Sequence, residues 1–523
     1  MTTRSTSVWL ETAYPGKYSA LKKNGRADVC VIGAGIAGLS TAYLLAREGH
    51  SVIVIDDGRP GCGETGVTTA HLSNAIDDGY VEITRLHGVE GATQACASHR
   101  AAIERIEAIC HLERMDCDFR RVDGYLFLAP EHDPKVLDDE YEAARTAGAS
   151  VEKLTRADVS GFESGPCLRF RRQGQFHPLR YLKGLADGFV RLGGRIYAET
   201  KAVGVTGGRR ASVQLENGFT VAAGSIVVAT NAPFNDRFAI HTKQAPYHTY
   251  VVAARVPLDA ITAALYWDTA DPYHYVRLQR VTNDQLNGDN RDPVDLLIVG
   301  GEDHKAGQAS DAEERFARLD TWMRARFPAA GEIEFRWSGQ VMETQDGLAY
   351  IGRNPMDADN VYVVTGDSGM GMTHGTIAGI LLTDLISGRT NEWADLYDPS
   401  RVRTGAATEF LKENLNVAAQ YASWVTPGEV ESTDQIAPNA GAVIREGVLK
   451  IAVFRDEAGA LHKHSAICTH LGCIVAWNPA ASTWDCPCHG SRFDPYGKVL
   501  NGPASEDLTE VRSTKEEVRS KES

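Results

Sequence analysis

The chain has 523 residues, 43% hydrophobic and 24% charged, which is ordinary for packed globular domains and, at about 100–200 residues per domain, predicts roughly three of them. A formal net charge of −15 leaves no basic excess to neutralise phosphates, so nucleic acid is not an expected partner. No apolar run reaches the roughly 18–20 residues of a membrane span, and the N-terminal stretch carries no export signal, which makes a cytoplasmic location the expectation.

Residues 1–26 read as an irregular leader. Ala27–Ile32 (ADVCVI) predicts a buried strand running into GAGIAG, followed by the helix-patterned LSTAYLLAREGH and a second buried strand, SVIVID. This is a βαβ unit around Gly33-x-Gly35-x-x-Gly38. Gly33 suits the tight turn and Gly35 lets the backbone approach a pyrophosphate. Gly38 permits close packing of helix on strand, with Ile36 and Ala37 opening a helix whose N-terminus favours phosphate. Asp56, eighteen residues past Gly38, ends the second strand beside Asp57, where a carboxylate can bond an adenosine ribose.

Further along, Gly224–Thr230 (GSIVVAT) and Asn360–Gly366 (NVYVVTG) resemble core strands, the latter leading through a Gly-rich turn into THGTIAGILLTDLISG. Between them, APYHTYVVAARV and PYHYVRLQ alternate in the manner of an inserted, more antiparallel domain. Strand alternation puts Tyr273, Tyr275 and Arg277 on one face and His274 on the other. The fold class predicted is an α/β dinucleotide-binding (Rossmann-like, glutathione-reductase type) domain over 27–80, 150–235 and 340–395. An α+β substrate domain over 81–149 and 236–339 is inserted in it. A helical linker (396–428), an all-β module (429–512) and a charged tail (513–523) complete the chain.

Ten cysteines are unevenly placed: six fall in the first 167 residues, and Cys468, Cys473, Cys486 and Cys488 fall within 21 positions near the end. They belong to Cys468-Thr-His470-Leu-Gly-Cys473 and Cys486-Pro-Cys488-His489-Gly-Ser491. Two Cys and two His can bind zinc tetrahedrally. Against zinc stand the repeated pairing of one thiolate with one imidazole per loop, and the matching positions of the two remaining cysteines.

The segments ADVCVIGAGIAGLSTAYLLAREGHSVIVID and VYVVTGDSGMGMTHGTIAGILLTDLISG resemble the FAD fingerprint and late flavin-facing turn of the glycine/D-amino-acid oxidase (DAO) superfamily, over roughly residues 8–395. The resemblance implies FAD. Gly63–Thr69 (GETGVTT), with Thr65, Thr68 and Thr69, would wrap the flavin. Val203 and Thr230 would lie on the adenine side, and Gly366, Gly371, Met372 and Thr373 would lead to the pyrimidine ring. The family positions for covalent attachment hold Val67 and Val341, which implies non-covalent FAD. It also implies a sheet roofing the flavin, with Arg277 and Tyr275 as substrate-carboxylate contacts and His71 as a weaker flavin or substrate contact; each also has an ordinary packing explanation.

CTHLGC and CPCHGS resemble the two loops of a Rieske 2Fe–2S domain, over about 429–512, with Gly502–Ala504 matching its third loop. The resemblance implies Cys468 and Cys486 on one iron, His470 and His489 on the other, and a Cys473–Cys488 disulfide. A Phe493 where the respiratory type has Tyr removes a hydrogen bond near the cluster, which predicts a potential inside the broad range of about −150 to +300 mV. Joined, the two resemblances imply a dehydrogenase that oxidises the C–N bond of a small amine or amino acid. Its electrons would pass singly from FAD through the cluster to an external one-electron partner such as a ferredoxin-like protein or a quinone. The alternatives are a reductase or monooxygenase-like flavoprotein fed through the cluster, and a redox sensor without turnover.

Overall fold

The computed structural model describes residues 3–511 except 15, 236–239, 287–288, 356 and 425; the charged tail expected over 513–523 lies outside the described residues. The first sheet is built on continuous apolar runs. Gly25–Ile32 pairs in parallel with Val52–Ile55 on one side and Thr220–Val228 on the other, and Val361–Thr365 and Arg195–Tyr197 extend it in parallel. Every residue of Val52–Ile55 and Val361–Thr365 is buried, as expected for strands covered on both faces. Tyr350–Arg353 closes one edge antiparallel.

Helix Ile36–Arg47 crosses helix Gly371–Ile386 closely, because a Cβ at Gly375 would meet Ile36 and Ala37, and one at Gly379 would meet the backbone of Ser40. The two Gly-rich turns that open these helices are thereby brought side by side.

A second, nine-stranded sheet is mostly antiparallel, with Ile333–Thr344, Gln244–Val256, Pro293–Lys305, Tyr275–Thr282 and Leu265–Asp268 in order, then Arg120–Phe127 and Cys167–Gln175. Val151–Leu154 and Cys167–Gln175, grouped with the first domain by the sequence analysis, pair here, and Ile333–Thr344 runs through the boundary expected at 340. Strand pairing is set by register across the sheet, which local patterning does not report. The C-terminal module holds two small antiparallel sheets of three and four strands.

The linker is anchored to the first body. Arg401 donates through Nε and Nη2 to the two oxygens of Asp346 at 2.7 Å each and through Nη1 to Ala349 O at 2.8 Å, its guanidinium 4.1 Å from the Tyr350 ring centroid. Both partners are buried. Burial alone would raise the Asp346 pKa, yet the adjacent guanidinium holds it below the usual carboxylate value. Arg401→Ala, which leaves Asp346 unpaired in the interior, is expected to lower the unfolding free energy by about 3–5 kcal/mol. Chemical denaturation checks this, and a change within about 0.5 kcal/mol would show the pair to be dispensable.

Candidate functional site

A cavity of about 1070 Å³ runs from the Gly-rich turn, under the second sheet, to the C-terminal module. At one end Gly33 has φ +104°, and a Cβ there would run into the carbonyl of Ala229. Gly38 is held equally tightly against Gly33 O, so it serves packing and does not line the cavity. Gly33, Gly35, Ile36, Ala37, Asp56 and Asp57 all line it. Thr65 Oγ1 accepts from Ile36 N at 3.1 Å, which ties the GETGVTT loop to the helix N-terminus. Asp56 accepts from Ala34 N at 2.6 Å and Gly58 N at 2.9 Å, while burial and the neighbouring Asp57 push its pKa up to about 6. Thr65, Thr68, Thr69, Thr230, Gly366, Gly371 and Met372 line the same space.

Two expected contacts differ. Val203 is 41% exposed and stands outside the cavity, whose wall there is Lys201 and Ala202. Thr373 is turned into the interior, bonded to Met370 O and His99 Nδ1. The cradle otherwise fits FAD: a glycine turn without room for side chains, a carboxylate at the second strand end, and a cavity long enough for a dinucleotide. Val67 and Val341 line it without offering a nucleophile.

Under the second sheet the cavity becomes a chamber. His71, Tyr273 and Tyr275 line it, with Tyr275 Oη bonded to Thr249 Oγ1 and the His71 ring edge-on to Tyr275 at 5.8 Å. His71 Nε2 lies 3.3 Å from Val276 O, and burial followed by nearby Arg277 lowers its pKa to about 3, so the ring is neutral. Arg277 does not face the chamber. It is fully buried, its Nη1 donating to Thr69 O, Ala70 O and Phe176 O at 2.9–3.2 Å and its Nη2 to Gln279 Oε1 at 2.7 Å, with Trp9 stacked at 5.2 Å. The expected carboxylate contact is therefore corrected: strand alternation assigned the right face but not the depth, and the guanidinium fastens the flavin loop's exit instead.

The chamber wall carries carboxyls that the sequence analysis missed: Asp77, Asp303, Glu343 and Asp367. Glu343 stands two residues past Val341, and Asp367 lies inside VYVVTGDSGMGMTH, where the pattern reports a backbone turn and not a side-chain role. Asp77 has surface open to the cavity although it lies deep in the fold, and Tyr273 donates to it. Burial raises the pKa of all four, to about 6 for Asp303 and for Asp367, with neighbouring carboxyls adding to the effect at Asp77 and Glu343. The basic residues that line the cavity are Arg59, Lys201, Arg492 and Lys498. Arg492 pairs with Glu64 at 3.0 Å, Lys498 with Asp507 at 2.6 Å and Lys201 with Glu216 at 3.6 Å, and Arg59 stands over Tyr14.

In the C-terminal module, the thiols of Cys468 and Cys486 are in hydrogen-bonding contact, and the His470 and His489 rings stand edge-on at 5.1 Å. Cys473 and Cys488 form a disulfide with Cα atoms 6.5 Å apart, fixing the two loops together. Ser491 Oγ accepts from Ala504 N at 3.0 Å and bonds the Cys468 sulfur, and Phe493 is buried in the core beside them. The hydrogen bond from Cys486, with backbone N–H groups behind it, lowers the Cys468 pKa, and burial lowers that of His489 to about 4. His489 Nδ1 is buried without a hydrogen-bond partner among the described residues. Neighbouring thiols, with Cys468 held toward its thiolate, facing His470 and a neutral His489 whose Nδ1 is left over, fit a 2Fe–2S centre with His₂Cys₂ ligation.

Arg277→Met is expected to lower the unfolding free energy by about 2–4 kcal/mol, since four acceptors, three of them in buried bonds, lose their donor. Chemical denaturation reads the loss, and a variant as stable as the parent would contradict the fastening role.

Two family models match: "FAD dependent oxidoreductase" (DAO) over residues 28–385 and the Rieske [2Fe-2S] domain over 426–513. A Rieske 2Fe-2S iron-sulfur protein of Bacillus subtilis is 30% identical over 509 residues, covering 97% of each chain. The gamma-glutamylputrescine oxidoreductase of Escherichia coli is 27% identical over 402 residues, covering 74% of this chain and 90% of that protein. Among solved structures, glycine oxidase from Geobacillus kaustophilus superposes with a TM-score of 0.57 at 17% identity, covering 72% of this chain and all of the other, a likeness of fold. The chain belongs to the DAO family of FAD-dependent oxidoreductases, and it joins that enzyme fold, with FAD as cofactor, to a C-terminal Rieske domain for a 2Fe–2S cluster.

Proposed function

We propose that the protein is a dehydrogenase of cationic amines which sends its electrons through the Rieske cluster to an external one-electron acceptor, and that it does so in the cytoplasm. The observation that carries this reading is the chamber wall of Asp77, Asp303, Glu343 and Asp367, from which Arg277 is turned away. A substrate carboxylate would face four carboxyls at that wall, whereas an ammonium group meets complementary charge. A relative named for gamma-glutamylputrescine, the Escherichia coli oxidoreductase, supports an amine over an α-amino acid.

When bound, FAD supplies a two-electron acceptor for the C–N bond and the cluster a one-electron carrier. The chain's own residues do the rest. The carboxyls hold and orient the ammonium end, and Tyr273 and Tyr275 wall the chamber with their hydroxyls already bonded to Asp77 and Thr249. The second sheet keeps bulk water from the reacting carbon. An ionised chamber carboxylate is the acceptor for the proton the amine must lose before its C–H bond is oxidised.

Anaerobic titration of the holoprotein with a panel of amines, diamines and amino acids is expected to bleach the flavin bands with amines and diamines and not with simple α-amino acids. Bleaching by α-amino acids alone would overturn the reading. At pH 8, where Asp303 with its pKa of about 6 is anionic, Asp303→Asn is expected to raise the KM for a diamine by about tenfold, as loss of about 1.4 kcal/mol of charge complementarity predicts. Because Asp303 and Asp367 have pKa values raised to about 6, they are neutral below that pH and anionic above it. Amine affinity is therefore expected to rise with pH from about 5 to 7. An affinity that is flat or falls across that window in a pH series would contradict an ionic role for these groups.

A further inference from the structure

Of the two histidines that the Rieske module offers to the electron-accepting iron, His489 is 6% exposed and packed against the flavoprotein body, while His470 is half-buried. His241, itself 2% exposed, packs edge-on to His470 at 5.1 Å between ring centroids and to His489 at 6.1 Å. Its Nε2 is 2.9 Å from Pro233 O, at the end of the turn whose residues Ala229–Ala232 line the cavity.

A second contact is more direct. Gln340 lines the cavity, is buried, and donates from Nε2 to Gly490 O at 3.0 Å, the carbonyl of the residue that follows His489. Its Oε1 accepts from Asn501 Nδ2 at 2.7 Å, beside the third loop, and its backbone N–H donates to Glu64 Oε2 at 2.7 Å, within the loop that wraps the flavin site. One residue thus touches the cofactor cavity, the flavin loop and the cluster loop.

We propose that Gln340 and His241 are positioning residues for an internal electron port: they hold the histidine edge of the cluster against the flavin cavity, so that this edge receives electrons from within the chain. The inference rests on the flavin-to-cluster direction proposed above, but not on the identity of the amine. One electron crosses this contact at a time, lost at the flavin and gained at the iron between His470 and His489. Two crossings clear one two-electron oxidation, and each is followed by release to an external one-electron acceptor. The fixed geometry explains why the carboxamide is bonded at both ends: an unmade buried hydrogen bond costs about 1–3 kcal/mol, which makes a slack interface unfavourable.

The test uses the full-length holoprotein, with flavin reduced anaerobically by light and EDTA, so that it does not depend on any substrate. Gln340→Met keeps the volume and loses both side-chain bonds; Gln340→Glu keeps an acceptor for Asn501 but cannot donate to Gly490 O. His241→Leu removes the ring contact. Each is expected to slow flavin-to-cluster electron transfer by about tenfold or more, equivalent to about 1.4 kcal/mol on the barrier. The two Gln340 variants are also expected to alter the g-values of the reduced cluster's EPR spectrum. Parental rates and an unchanged EPR spectrum in all three variants overturn the proposal. Because Gln340→Glu is nearly isosteric, it reports even where a larger change impairs cluster insertion. Failure of every amine to bleach the flavin, with the variants still slowing photoinduced transfer, would sink the substrate reading and leave the port standing.

Discussion

The arrangement turns on one carboxylate. Glu64 sits in the loop that follows the first βαβ unit, and its two oxygens accept from different bodies: Oε2 from the backbone of Gln340 in the second sheet, and Oε1 from Arg492 in the Rieske module at 3.0 Å. Arg492 in turn stands 3.5 Å from Asp485, which His248 of the second sheet holds at 2.8 Å. Charge-assisted bonds of this kind are geometrically specific as well as strong, and here they close a circuit through all three domains. Remove Glu64 and the flavin loop, the roof over the chamber and the cluster loop lose their common reference.

From that constraint the division of labour follows. The parallel sheet and its two crossing helices bring both Gly-rich turns to the wall of one cavity, where a dinucleotide would be held. The inserted sheet closes a chamber over the far end of the cavity and gives it a negative wall. The Rieske module, seated against the same loop, turns His489 inward. The flavin cavity and the cluster loop thus meet at Gln340, which lines the one and bonds the other.

Much of this was legible locally. Gly33, Gly35 and Gly38 announce a turn because only glycine fits at Gly33 beside Ala229 and at Gly38 against Gly33 O, and because the strand before and the helix after are unambiguous in pattern. The cluster loops are equally local, since each carries its ligands within a few residues. The remainder depends on pairings the chain makes over long distances. Gln340 meets Glu64 across 276 residues and Gly490 across 150, and no periodicity links them. Arg277 shows the limit of alternation, which yields a face but not whether a side chain stops at a cavity or passes beneath it. Asp77, Asp303, Glu343 and Asp367 become a set only when strands and loops from four parts of the chain converge.

The central claim is that oxidation at the chamber and reduction of the cluster are coupled inside one chain. EPR of the anaerobic holoprotein after a substoichiometric addition of a bleaching amine tests it most directly. The account predicts that the reduced Rieske signal grows in proportion to the amine added, with no external mediator present. A flavin that bleaches in proportion to the amine added while the cluster remains oxidised and EPR-silent would contradict it.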